Sequence, residues 1–191
     1  MNVARILYPV QVLGPGKRIG IWLCGCNRRC NGCSNPELWE KRPEYEVEVA
    51  QIKKLIDRIA AEHRIDGFTI TGGEPMDQSD ELADMIGELR HISEDILIYS
   101  GYQLSELRSR NDKNTQRVLS LAVVLIDGEY LEDKNNDVIM RGSENQTIHI
   151  LNPKFKKIYD EYLPTTHNQI QNFTTSDGVV SVGIHRKGFT V

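Results

Sequence analysis

Every cysteine of this 191-residue chain lies in the segment Cys24-Gly25-Cys26-Asn27-Arg28-Arg29-Cys30-Asn31-Gly32-Cys33. A disulfide framework staples distant segments, whereas thiols packed this closely would close only tiny loops. The segment follows an apolar run at residues 19–23 and precedes Asn35-Pro36, so it reads as a loop at the carboxyl end of a strand, where α/β proteins carry their sites. Read as Cys26-x3-Cys30-x2-Cys33, it sets three thiolates on a tight curl that can wrap one face of an iron-sulfur cubane and leave one iron open to a ligand. Gly25 and Gly32 suit such a curl, because glycine alone takes positive φ cheaply. Two plainer readings stand beside it. Zinc could use all four thiolates, although four donors so close in sequence would crowd a tetrahedral ion. Cys24, alternating with Trp22 along the strand, could simply be a small buried apolar residue.

Hydrophobic residues at 39% and charged residues at 26% describe a folded chain, neither disordered nor membrane-embedded, of a length for one domain. The formal charge of −4 argues against a nucleic-acid partner held by a general basic field. No apolar run approaches the roughly 18–20 residues of a membrane span, and the first residues lack a signal-peptide pattern, so the cytoplasm is the expected location. Apolar runs predict strands at residues 6–12, 19–23, 68–71, 96–100, 123–126 and 147–151. Between them, Ile52, Leu55, Ile56, Ile59 and Ala60, and then Leu82, Met85, Ile86, Leu89 and Ile92, recur at helical spacing. Strand and helix in alternation predict an α/β fold with a parallel sheet. A closed eight-stranded barrel takes about 250 residues, so an open or partial barrel is expected. Residues 1–151 form the expected core. Residues 152–191 form an extension, with a short helix at 153–162 and a β-hairpin at 170–174 and 179–184 turning on Ser176-Asp177-Gly178.

Thr71-Gly72-Gly73-Glu74-Pro75, Ser100-Gly101-Tyr102 and Asp127-Gly128 each follow a predicted strand. Singly, each is a strand-ending turn. Together they should open on one edge of a parallel sheet, where hydroxyl and carboxylate groups such as Ser100 and Asp127 can converge on a ligand. Arg141 alone reads as a solvated arginine or as a partner for a carboxylate. Arg28 and Arg29 beside the cysteines could dock an acidic electron donor. None of the five histidines is assigned a metal or catalytic role.

With Gly14-Pro15-Gly16 before them and Arg141-Gly142-Ser143-Glu144-Asn145-Gln146 after, these motifs occur in an order that resembles radical S-adenosylmethionine (SAM) enzymes, and within them the anaerobic ribonucleotide reductase activating enzymes. The resemblance covers roughly residues 5–150, with Gly32 in place of the aromatic residue that many superfamily members carry before the third cysteine. It implies a partial β/α barrel of the radical SAM type and a [4Fe-4S] cluster on Cys26, Cys30 and Cys33 but not Cys24. It also implies SAM held by Gly72, Gly73 and Glu74 at its methionine end, with Gly32, Ser34, Ser100, Asp127 and Arg141 in the cofactor site and no catalytic side chain. The implied activity is reductive cleavage of SAM to a 5′-deoxyadenosyl radical that takes hydrogen from a glycine of a glycyl-radical enzyme such as anaerobic ribonucleotide reductase. A flavodoxin- or ferredoxin-like protein would supply the electron. A radical SAM enzyme acting on a small molecule or peptide and a non-catalytic metal module are the alternatives. A bulky residue at Gly73 is expected to weaken SAM binding and spare the cluster. The extension is expected to serve recognition, presenting His185, Arg186 and Lys187 outward, or else to cover an exposed edge strand and only stabilise the fold, and a cut after Leu151 would separate the two.

Overall fold

The computed structural model describes residues 1–175 and 178–186. Six strands, β1 (Val3–Val10), β2 (Arg18–Leu23), β3 (Gly67–Gly72), β4 (Ile96–Ser100), β5 (Val124–Asp127) and β6 (Thr147–Ile150), form one sheet in sequence order. Between them lie helices α1 (Val49–Glu62), α2 (Ser79–Leu89), α3 (Leu104–Ser109) and α4 (Lys113–Leu121). After β6 come α5 (Lys156–Tyr162) and a separate antiparallel pair, β7 (Ile170–Thr175) and β8 (Gly178–Gly183). The predicted α/β class and hairpin are present. Ser176 and Asp177 of the expected turn, and Lys187, lie outside the described residues.

Strands β2 to β5 are mutually parallel, but β1 and β6 run antiparallel at the two edges, which the expectation of a parallel sheet had not separated. The link from β1 to β2, residues 11–17, explains the first edge, because a parallel crossover takes a dozen or more residues. Two-residue alternation then divides the sheet's faces. Ile19, Ile21, Leu23, Phe68, Ile70, Ile96 and Ile98 meet Ile52 and Ile56 of α1 and Leu82, Met85, Ile86 and Leu89 of α2 in one core. Trp22, Leu97, Val124 and Ile126 belong to two smaller clusters closed by Val182 of β8 and Tyr159 of α5.

At the amino-terminal ends of the parallel strands, Arg18 is fully buried. Its guanidinium donates to Asp95 Oδ2 at 2.9 Å, Thr69 Oγ1 at 2.7 Å and the Phe68 carbonyl at 2.6 Å, so its burial is matched by acceptors. The Tyr159 hydroxyl completes the arrangement by donating to Asp95 Oδ1 at 2.7 Å. Tyr159→Phe should therefore cost about 1–2 kcal/mol in a urea melt, since it strips one donor from a buried carboxylate and nothing else. A chain cut after Leu151 would lose Tyr159 and Val182 together, so such a cut disturbs the core as well as any recognition surface.

Candidate functional site

The carboxyl ends of β2 and β3 are locked together, with Leu23 opposite Gly72 in the register. Beyond them the Gly73 N–H donates to the Leu23 carbonyl at 2.8 Å and the Glu74 N–H to the Gly25 carbonyl at 2.9 Å. The cysteine loop is held from its other side too, where the Gly25 and Cys26 amides donate to the carbonyls of Leu38 and Trp39, both at 2.8 Å. Gly72 has φ +108°, and a Cβ there would lie 2.3 Å from the Leu23 oxygen. A Cβ at Gly73 would lie 2.3 Å from the Gly25 oxygen. The Gly-Gly pair is thus demanded first by the approach of one backbone to another.

Within the loop, Arg29 and Gly32 take positive φ and the Cys33 N–H closes on the Cys30 carbonyl at 3.2 Å, which produces the curl. Cys26, Cys30 and Cys33 line one cavity together with Ser34, Trp39, Gly72, Gly73, Glu74, Ser100 and Tyr130. Cys24 does not line it. Its side chain is buried with Trp22, Leu38 and Val182, and its thiol donates to the Glu40 carbonyl at 2.7 Å. Burial pushes the Cys30 and Cys33 thiols above the ordinary cysteine range, against the opposing pull of the Tyr130 and Asn35 amides. Metal binding here would therefore release protons as the thiolates form.

This donor set fits an iron-sulfur cluster. A cubane, with a thiolate on each ligated iron, takes donors spaced around a cavity. The indole N–H of Trp39 is buried in the same cavity with no acceptor in hydrogen-bond geometry, a donor suited to a sulfur-rich group.

Glu74 lies at the rim but is 1% exposed. Its Oε1 accepts from the Met76 N–H at 3.0 Å and the Ser100 hydroxyl at 2.8 Å, and its Oε2 from the Gly101 N–H at 2.7 Å. The carboxylate thus ties the end of β3 to the end of β4. Burial pushes its pKa up to about 7, with the three donors pulling the other way. Because the folded state favours the protonated form, the contribution of Glu74 to stability is full below about 4.5 and falls as pH rises toward about 7. Glu74→Gln sets an amide N–H against a backbone N–H in either orientation, which should cost about 1–3 kcal/mol. In urea melts the gap between variant and wild type should narrow from about pH 5 to about pH 8, where the wild type carries its own ionisation penalty.

The remaining sequence candidates are placed unequally. Ser34, Gly72, Gly73 and Ser100 line the cysteine cavity. Gly32 shapes the loop with φ +69° but is not among the lining residues, and neither is Arg141, which donates to the Gln146 carbonyl at 3.1 Å. Asp127 faces a neighbouring cavity, accepting from the Leu104 N–H at 2.5 Å and standing 2.9 Å from His149 Nε2. Both loop arginines are matched by acids: Arg28 lies near Glu106 and Glu129, over the Tyr102 ring, and Arg29 pairs with Glu40. The expectation that His185 points outward is corrected. It lines the cysteine cavity, as do Ser181, Val182, Gly183 and Ile184. Val182 is drawn inward by the apolar cluster around Trp22, and the Asn135 amide holds the His185 carbonyl at 2.9 Å. Trp39, Tyr130, Gln146 and His185 are cavity residues that sequence reading did not select. Of these, Trp39 had a usable signal in its nearness to the cysteines and Gln146 in closing the motif that begins at Arg141.

A family model described as a 4Fe-4S single cluster domain matches residues 12–149. The anaerobic ribonucleoside-triphosphate reductase-activating protein of Salmonella typhi is 31% identical over 157 residues, covering 75% of this chain and 96% of that protein. The chain belongs to this activating-protein family. Its counterpart in Enterobacteria phage T4 is 29% identical over 153 residues, covering 78% of this chain and 93% of that protein. A shorter likeness reaches the pyruvate formate-lyase-activating enzyme of Clostridium pasteurianum, 31% identical over 75 residues and covering 38% of this chain and 32% of that enzyme. Membership in the activating-protein family supports an enzyme with an iron-sulfur cluster. The family match contains the cysteine loop, the Gly-Gly turn and strands β2 to β5, while α5, β7 and β8 lie beyond it. No helix of the described residues is long and apolar enough to cross a membrane.

Proposed function

We propose that this protein activates an anaerobic ribonucleotide reductase by radical SAM chemistry, in the setting of an open β/α half-barrel. The observation that carries the reading is the cavity at the strand ends, lined by three of the four cysteines and by the Gly72-Gly73 turn. Cys26, Cys30 and Cys33 would hold a [4Fe-4S] cluster. With SAM bound, the cluster would supply one electron that breaks the sulfonium carbon–sulfur bond, giving methionine and a 5′-deoxyadenosyl radical that takes a hydrogen atom from a glycine of the partner.

The chain's own residues bind, orient and shield. The Gly72-Gly73 backbone brings the end of β3 to the base of the cysteine loop, where it offers peptide groups to the methionine end of SAM. Glu74 has given its oxygens to three donors, so its part is to fix the ends of β3 and β4. Ser34 offers a hydroxyl to the ligand, while the Ser100 hydroxyl donates to Glu74 Oε1 and accepts from the Tyr102 N–H at 3.1 Å, so Ser100 holds Glu74 in the cavity wall. We assign Gly32 to the loop's curl, Arg141 to holding the Gln146 carbonyl, and Asp127 to capping α3. The inner face of β8 walls the cavity and limits solvent entry. The segment after residue 151 thereby serves both the core and the site. A cytoplasmic location and a flavodoxin- or ferredoxin-like donor belong to the same reading.

The test is anaerobic reconstitution with iron and sulfide, then addition of SAM and dithionite. 5′-Deoxyadenosine should form, and a glycyl radical should appear by electron paramagnetic resonance when the reductase is added. Iron uptake without SAM cleavage would overturn the radical SAM reading. SAM cleavage without a glycyl radical would point to another substrate.

A further inference from the structure

The segment after the cysteines returns to them. The Trp39 carbonyl accepts from the Cys26 amide at 2.8 Å, so the residue is fixed against the first cavity cysteine by its backbone. Its side chain lines the same cavity as the third. The indole Nε1 is buried and, among the described residues, has no acceptor in hydrogen-bond geometry. Indole nitrogen is a donor only, so burial without an acceptor is a cost that native proteins rarely leave standing. The nearby Cys33 sulfur is the acceptor at hand, and it already receives the Asn35 N–H at 3.4 Å. A neutral thiol is a weak acceptor; a thiolate is a strong one.

Resting on the reading that Cys33 ligates the cluster, we propose that Trp39 donates its indole N–H to the Cys33 thiolate and so sets the cluster's reduction potential. An N–H donor to a ligand sulfur favours the state with more negative charge, and reduction adds one electron to the cluster. Trp39 thus makes the cluster easier to reduce. It acts through Cys33 and is a positioning residue.

Trp39→Phe keeps an aromatic ring in the wall and removes the donor. The reconstituted variant should hold the wild-type complement of iron and sulfide, and its midpoint potential, from a redox titration followed by electron paramagnetic resonance, should be more negative. An unchanged or more positive potential at full iron content overturns the proposal. If the variant holds no cluster, the full-length wild type decides: with isotope-labelled indole nitrogen, the reduced cluster should show hyperfine coupling to a tryptophan nitrogen that persists in Trp22→Phe. Absence of that coupling overturns the proposal. None of these measurements uses SAM, so they stand or fall apart from SAM cleavage. Failure of the wild type to take up iron would sink the cluster reading and this proposal with it.

Discussion

Serine at Cys26, at Cys30 or at Cys33 should abolish retention of a full cluster after anaerobic reconstitution, whereas serine at Cys24 should leave iron and sulfide content at the wild-type level. The division follows from where the four side chains go. Three thiols face the common cavity, and the fourth is fully buried in an apolar cluster, its proton committed to the Glu40 carbonyl. A serine hydroxyl can make that same bond at position 24, so the change forfeits only the sulfur's apolar contacts, about 1 kcal/mol. At the other three positions the loss is of a soft, anionic ligand that an alcohol does not replace. Iron and acid-labile sulfide analysis, with the visible absorbance of the cluster, reads the outcome. Loss of the cluster in Cys24→Ser, or stoichiometric zinc in protein purified without oxygen, would return the assignment to a four-thiolate site.

The layout of the core was legible because its period was strong. The strand at residues 96–100 matches β4, an apolar run buried on both faces, and the stripe beginning at Ile52 matches α1, which buries one face. Helices α3 and α4 escaped the reading. They are short, and α4 is announced mainly by its cap, Asp112, whose carboxylate accepts from the amides of Asn114 and Thr115. In the site, cysteine spacing separated the cavity residues from Cys24 because a tight curl permits few arrangements of three side chains. What the spacing cannot carry is the choice between neighbouring cavities. Asp127 ends β5 just as Ser100 ends β4, yet the Leu104 amide holds the aspartate in the adjoining cavity, where it stands beside His149. Nor does local pattern show that a hairpin distant in sequence walls the cysteines. That depends on Val182 finding the Trp22 cluster and on the Gln171 amide reaching the Pro9 carbonyl at 2.7 Å, contacts set by tertiary packing alone.

The same tertiary logic reverses the expectation at Gly73. A side chain there was expected to obstruct SAM and leave the cluster in place, but its Cβ would lie 2.3 Å from the Gly25 oxygen and 2.8 Å from the Gly25 carbonyl carbon. These are backbone atoms at the base of the cysteine loop, tied on either side to the Leu38 carbonyl and the Glu74 amide, and they cannot swing aside as a flexible side chain does. Overpacking a well-packed site costs about 1–3 kcal/mol, and a contact between two hydrogen-bonded backbones belongs at the upper end or beyond. Gly73→Val should therefore lower stability and cluster content together, and Gly73→Ala should show the same pair of losses to a smaller degree. Gly87→Ala supplies the contrast. On α2 the new methyl meets only the end of the Arg117 side chain, at 3.3 Å, and gains roughly 0.5–1 kcal/mol of helix propensity. Urea melts with iron analysis on the three variants separate the two accounts. Wild-type stability and full iron in Gly73→Val, with only SAM affinity reduced, would show that the Gly-Gly turn yields to the ligand before it yields to the cysteine loop.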